Sequence, residues 1–284
     1  MNAIPNMSKA VELPCGETVP AFGLGTWGMG EAAASRKKEV AIVAEALDLG
    51  VRLIDTAEMY GEGGAEEVVG EAISDRRDGL FIVSKVYPHN ASRQGTIAAC
   101  ERSLERLRTD RIDLYLLHWP GRIPIAETLE AFMGLREAGK IRHFGVSNFD
   151  ADDLAEAWDT PGGQEIAANQ LLYNLSRRGI EWDTLPLMRE RNLPLMAYSP
   201  LEQSRLLKSR ELKNFAKAHG MTETQAALRW LLARDDVIVI PKTVHPDRLR
   251  ENLAALENPL TADQLAELDR LFPPPSGPSP LDVL

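Results

Sequence analysis

A closed (β/α)8 barrel is the fold this sequence predicts, and three observations carry the prediction. Eight short β-rich runs recur, each followed by a stretch with apolar residues at three-to-four spacing. The C-terminal ends of those runs fall at a regular interval. No linker interrupts the 284 residues, a length near the ~250 typical of such barrels. An open sheet built from the same units is compatible with the pattern. Residues 1–284 are accordingly read as one domain.

Ahead of the first run, VELPCGETVPAF reads as a β-hairpin with its turn near Gly16, a plug for the lower mouth of the barrel. The runs are VPAFGLGTW, VRLIDTA, LFIVSKV, IDLYLLH, IRHFGVSN, EIAANQLLY, LPLMAYSP and VIVIPKT. With Trp27, Asp55, Lys85, His118, Ser147, Gln170, Ser199 and Lys242 as strand ends, the steps are 28, 30, 33, 29, 23, 29 and 43 residues, a βα period. Between them, KKEVAIVAEALDLG and TIAACERSLERLR are amphipathic at helical spacing, and helix stops are expected at Gly50 and Gly139. After Phe272 the tail PPPSGPSPLDVL is too rich in Pro and Ser for regular structure and is expected to lie extended over the surface.

Charge narrows the function. With 32 Lys and Arg against 42 Asp and Glu, the net charge of -10 opposes nonspecific binding to nucleic acid or anionic lipid. Cys15 and Cys100 stand far apart with no metal-ligand spacing, so neither a disulfide framework nor a metal site is expected. The start, MNAIPNMSKA, lacks a basic region followed by an apolar stretch, and no segment approaches the ~18 apolar residues of a membrane span. A cytoplasmic monomer acting on a small molecule, with no nucleic-acid or membrane partner, is the expectation.

Residues 23 to 28, GLGTWG, match the G-x-G-x-x-G dinucleotide fingerprint, and Asp55 stands roughly where a ribose-binding acid belongs. Trp27, however, would put an indole into the turn that must approach a pyrophosphate. That reading also leaves the polar strand ends unexplained.

Asp55, Lys85 and His118 end successive apolar runs, and in a barrel such ends converge on the face where active sites are built. Tyr60, five residues after Asp55, can fold back to the same mouth. Singly, each has a bland role: a capping Asp, a snorkelling Lys, a satisfied core His, a surface Tyr. Together they make a carbonyl-reducing set, since reduction delivers hydride to carbon and a proton to oxygen. A phenol with a reference pKa of ~10 needs help, and a cation ~4 Å away at an effective dielectric of ~20 offers up to ~4 kcal/mol. Lys85 is that cation and Asp55 keeps it charged; neutral His118 orients the carbonyl.

At these residues the sequence resembles the aldo-keto reductase family: GVRLIDTAEMYG, SKV around Lys85, LYLLHWP, GVSNF, NQLLYN, AYSPL and IPKT, in order over nearly the whole chain. The resemblance implies a (β/α)8 barrel, NADPH dependence and Asp55, Tyr60, Lys85 and His118 as the catalytic set. It assigns Ser147, Asn148 and Gln170 to the nicotinamide carboxamide and Tyr198 to stacking on the ring, although alone Tyr198 reads as a core strand residue. Gly25 and Thr26, beside the shared Asp55, are similar to residues near the nicotinamide, and Ser199 and Leu201 to those along the pyrophosphate. Lys242, Thr243 and Arg248, around a helix start marked by Pro246, suit a 2′-phosphate and favour NADPH over NADH. Glu251 and Asn252 would contact the adenine.

Two departures stand out. Glu202 follows SPL where the family often has Gly, and the segment after it is short for a loop over the pyrophosphate, which bears on cofactor release. Leu172 occupies a place where many members have Glu. Trp27, Tyr87 and Trp119 are expected to form an aromatic pocket for small or medium aldehydes. TWGMGE, AEMYGEGGAEEVVGEA and SKVYPHNA resemble bacterial members that reduce methylglyoxal. His89 is expected on the loop surface, and His143, His219 and His245 are expected to be structural. The competing functions are an NADPH-binding redox-sensing regulatory subunit, which need not retain Tyr60 and Lys85, and a metal-dependent barrel hydrolase, whose ligand cluster cannot be assembled from Asp55 and His118 alone.

Overall fold

The computed structural model describes residues 7–284; of the stretch read above for a leader, residues 1–6 lie outside the described residues. Strands β1 (Ala10–Glu12) and β2 (Thr18–Pro20) form an antiparallel hairpin with Ala10 opposite Pro20, and Gly16 sits in its turn at φ 85°. Val11, Leu13 and Val19 turn inward and are buried. Glu17 accepts from Arg142 at 2.6 Å and faces His143 at 2.9 Å, while Lys9 pairs with Asp235 at 3.0 Å. The hairpin therefore spans the barrel's lower mouth, because those partners stand at the N-terminal ends of two barrel strands.

The barrel strands are β3 (Gly23–Gly25), β4 (Leu53–Asp55), β5 (Phe81–Val86), β6 (Ile112–Leu117), β7 (Ile141–Ser147), β8 (Asn169–Leu172), β9 (Leu195–Tyr198) and β10 (Val237–Val239). Neighbours pair in parallel in chain order. The ring closes where Val239 donates its backbone N–H to Ala21 O at 2.8 Å and Gly25 donates to Pro241 O at 3.1 Å. That closure excludes the open sheet. All six residues of β5 and of β6 are buried, which explains why these runs read as continuous apolar strands: helices cover one face and the barrel interior fills the other.

Helices α1 (Arg36–Asp48), α2 (Gly64–Ile73), α3 (Arg93–Leu107), α4 (Ile125–Glu137), α5 (Ala151–Asp159) and α6 (Thr184–Glu190) each join two successive strands. Between β9 and β10 lie two, α7 (Arg210–Ala218) and α8 (Glu223–Leu232), which accounts for the 43-residue step. Helices α9 (Pro246–Leu253) and α10 (Ala262–Leu271) follow β10. In α3 the buried face is Thr96, Ala99, Cys100, Ser103 and Leu107, at three-to-four spacing, and Ser92 caps the start by accepting from Gly95 N at 3.1 Å. Truncating fully buried Leu107 to Ala would cost ~2–5 kcal/mol. Gly50 and Gly139 take positive φ just past α1 and α4, as expected of helix stops.

The glycine fingerprint has a different use. Gly23 and Gly25 lie inside β3, and α1 begins only at Arg36, so no phosphate-binding turn exists there. A Cβ at Gly25 would come within 2.9 Å of Ile240 O, the approach that closes the barrel. The tail beyond α10 lacks regular structure, as expected, but it is not simply spread over the surface. Asp282 meets Arg177 at 3.1 Å and Leu284 reaches the cavity at the C-terminal ends of the strands. Among the described residues no helix is long and apolar enough to cross a membrane.

Candidate active site

Strand ends β4, β5 and β6 bring three polar side chains together because each places its last inward-facing residue at the same mouth. Lys85, fully buried, donates from Nζ to Asp55 Oδ1 and Oδ2 at 2.8 and 2.9 Å and to Thr56 O at 2.9 Å. It also lies 3.3 Å from the Tyr60 hydroxyl and 4.9 Å from the centre of that ring. Tyr60 returns to the mouth because the chain reverses just after it, with Gly61, Glu62 and Gly63 all at positive φ. The His118 ring packs edge-on to Tyr60 with centroids 5.7 Å apart. Gln170 on β8 donates from Nε2 to Asp55 Oδ1 at 2.8 Å, so two donors from opposite sides of the barrel fix that carboxylate.

The electrostatics correct one expectation. Burial draws the Lys85 ammonium below its usual value, while Asp55's charge and hydrogen bonds, and then Glu66's charge, pull it back up. The Tyr60 phenol is not made acidic. Burial first, then the Asp55 charge, raises it well above 10. Paired with Asp55, Lys85 presents a hydrogen-bond donor to the phenol rather than a free positive charge. Tyr60 is thus held fully protonated at neutral pH, a loaded proton donor. His118 is drawn down to about 2, by burial and then by the Lys85 charge, and so is neutral. Its Nδ1 is buried without a hydrogen-bond partner among the described residues.

A cavity of about 410 Å³ opens above this set. Its walls include Asp55, Tyr60, His118, Gly25, Trp27, Trp119, Ser147, Asn148, Gln170, Tyr198, Ser199 and Leu201, together with Lys242, Thr243 and Arg248. Trp27 is 53% exposed at the rim, and Tyr87 stands edge-on to Trp119 with centroids 5.7 Å apart, outside the lining itself. Thr26 is also outside: fully buried, it gives both its hydroxyl and its N–H to Asp55 O and so holds β3 against β4. Glu251 and Asn252 sit on α9 away from the lining. Asn148 is committed within the protein: Nδ2 donates to His118 O at 3.0 Å and to Ser147 Oγ at 3.2 Å, and Oδ1 accepts from the Tyr198 hydroxyl at 2.9 Å.

Met59, Gln203, Ser204, His245 and Leu284 also line the cavity and were missed; His245 in particular was expected to be purely structural. The other histidines fit expectation, His143 against Glu17 and His219 against Glu267 at 2.8 Å, with exposed His89 packed at a tilt against Tyr87. Glu202 stands where the family often has Gly, and the backbone there shows why Gly suits the place. Its φ is 49°, Gln203 and Ser204 follow at 51° and 68°, and each such residue costs on the order of 1 kcal/mol. What holds Glu202 there is its carboxylate, which is buried against Asn174 at 2.9 Å and Arg177 at 3.0 Å. Among the described residues no group of three or more His, Cys, Asp or Glu could hold a metal ion.

The comparisons agree with this geometry. The model of the aldo/keto reductase family matches residues 21–272. The chain is 47% identical to the methylglyoxal reductase YeaE of Escherichia coli strain K12, over 97% of this chain and 99% of that protein. It is 33% identical to the glyoxal reductase of Bacillus subtilis strain 168, over 98% and 99% respectively. A solved aldo/keto reductase from Klebsiella pneumoniae, in complex with NADP and acetate, superposes with a TM-score of 0.94 at 48% identity, over 97% of this chain and 99% of that one. With the ordered motifs and the closed barrel, these matches place the chain in the aldo/keto reductase family, and it is an oxidoreductase.

Proposed function

We propose that this protein uses NADPH to reduce small or medium aldehydes and ketones, methylglyoxal among them, to alcohols, with Tyr60 as the proton donor. The observation that carries the reading is one cavity whose lining includes both the Asp55, Tyr60 and His118 groups and the Lys242, Thr243 and Arg248 groups. The fit to a dinucleotide phosphate is good. Tyr198, its hydroxyl pinned to Asn148, and Gln170 line the same cavity, an aromatic ring and an amide of the kinds that hold a nicotinamide. Lys242 and Arg248 supply two cations, and Thr243 a hydroxyl, where a 2′-phosphate would rest.

When bound, NADPH supplies hydride to the carbonyl carbon; the chain's residues do the rest. Neutral His118 can hydrogen-bond the carbonyl oxygen and aim it at Tyr60. As electron density builds on that oxygen, Tyr60 transfers its proton, and the Lys85 N–H already directed at the phenol oxygen stabilises the charge left there. Asp55, held by Gln170 and Lys85, keeps the ammonium from turning away. Trp27, Trp119 and Tyr87 shape an aromatic entrance suited to compact carbonyl compounds. The names of the E. coli and B. subtilis relatives support small aldehydes of the glyoxal type.

A panel of carbonyl substrates ranked by kcat/KM, each run with NADPH and with NADH, tests the proposal. Turnover of methylglyoxal or 4-nitrobenzaldehyde with NADPH preferred is the expected result. Absence of turnover with every aldehyde and ketone would overturn it, and NADPH binding without turnover would favour a redox-sensing subunit.

A further inference from the structure

The C-terminal tail and the loop after β9 border the same cavity from different sides, through Leu284 on one and Leu201, Gln203 and Ser204 on the other. A single guanidinium joins them. Arg177 donates from Nε and Nη2 to Glu202 Oε1 at 3.1 and 3.0 Å, and from Nη1 to Asp282 Oδ1 at 3.1 Å. Its own backbone is fixed by reciprocal hydrogen bonds with Asn174, whose side chain donates to both Ser199 O at 3.0 Å and Glu202 Oε2 at 2.9 Å. Glu202 is 5% exposed and opens three consecutive non-glycine residues at positive φ, a conformation the backbone does not favour and these side-chain bonds maintain.

We propose that Arg177 is a positioning residue, a clasp through which the C-terminal tail sets the rate at which NADP(H) leaves. Release of the dinucleotide requires the loop of Leu201 to Ser204 to relax, and that loop is tied through Glu202 and Arg177 to Asp282. Loosening the tail then loosens the loop, although Asp282 itself does not line the cavity. The inference deepens the functional reading and rests on its NADPH-binding half.

Stopped-flow dissociation of NADPH, followed by its fluorescence on mixing with excess NADP+, tests the clasp with the full chain. Asp282→Asn should raise the dissociation rate about threefold, since both partners of its ion pair are partly exposed, and Glu202→Gln about tenfold, since the Glu202 carboxylate is buried. Because both act through one guanidinium, the double variant should fall short of the product of the two effects. Thermal unfolding of Asp282→Asn alongside separates a clasp from a general loss of stability, for its midpoint should stay at the wild-type value. A dissociation rate in Asp282→Asn equal to wild type, or effects that multiply independently, would overturn the clasp alone. A wild type that binds no NADPH would overturn both the clasp and the functional reading.

Discussion

Replacing Lys85 by Met tests how the site is held together. The methionine matches much of the lysine's length but removes three donated hydrogen bonds at 2.8 to 2.9 Å and the one charge that balances Asp55. Asp55 is 3% exposed, so water compensates its carboxylate poorly, and among the described residues the Gln170 amide is the donor that remains to it. Removing one partner of a buried pair costs ~3–5 kcal/mol, because the other charge is left uncompensated in a poorly polarisable interior. Replacing both partners by neutral groups costs far less, since the desolvation of the ammonium that burial imposes here disappears along with the attraction. Urea unfolding of three variants reads the difference: Lys85→Met should lose ~3–5 kcal/mol, and Lys85→Met with Asp55→Asn should recover most of that loss. A single variant within about 1 kcal/mol of wild type, or a double variant less stable than the single, would refute the buried-pair argument.

Further expectations follow from the same geometry. Tyr60 is held above 10 by burial and by Asp55, so the donor stays protonated as pH rises; kcat/KM for reduction should hold level from neutral pH through the usual range of phenol ionisation. Oxidation of the alcohol needs the proton-accepting form and should rise with pH; a reduction rate falling with a midpoint between about 7 and 9 would contradict this. His118, drawn down to about 2, should contribute no limb near its ordinary value of 6.5, and a limb there that disappears in His118→Gln would refute its neutrality. Arg248 lines the same cavity, and Arg248→Ala should lower the ratio of NADPH to NADH efficiency ~10-fold or more; an unchanged ratio would remove Arg248 from phosphate recognition.

The barrel was legible because its strands are short, apolar and regularly spaced, and because polar residues mark their ends. The step of 43 residues is the largest irregularity, and α7 explains it. Asp55, Lys85 and His118 could be found because a charged or polar residue ending an apolar run is conspicuous, and Tyr60 because it lies within reach of Asp55. What the sequence concealed depends on pairs far apart in the chain. Gln170 turned toward Asp55, Thr26 spent on the Asp55 carbonyl, and Leu284 at the cavity each join residues whose proximity only closure of the barrel creates. The acidity of Tyr60 is misjudged from sequence for a related reason: its closeness to Lys85 can be inferred, but not that desolvation and the Asp55 charge raise the phenol instead.

Delivery of the proton by Tyr60 is read out by single-turnover kinetics of Tyr60→Phe. The enzyme is preloaded with NADPH and mixed with saturating methylglyoxal, and loss of the reduced cofactor's absorbance is followed in one cycle. The variant should bind NADPH as wild type does while the oxidation step slows ~10²- to 10⁴-fold, the range a positioned general acid contributes. Oxidation at the wild-type rate in the variant would contradict proton delivery by Tyr60.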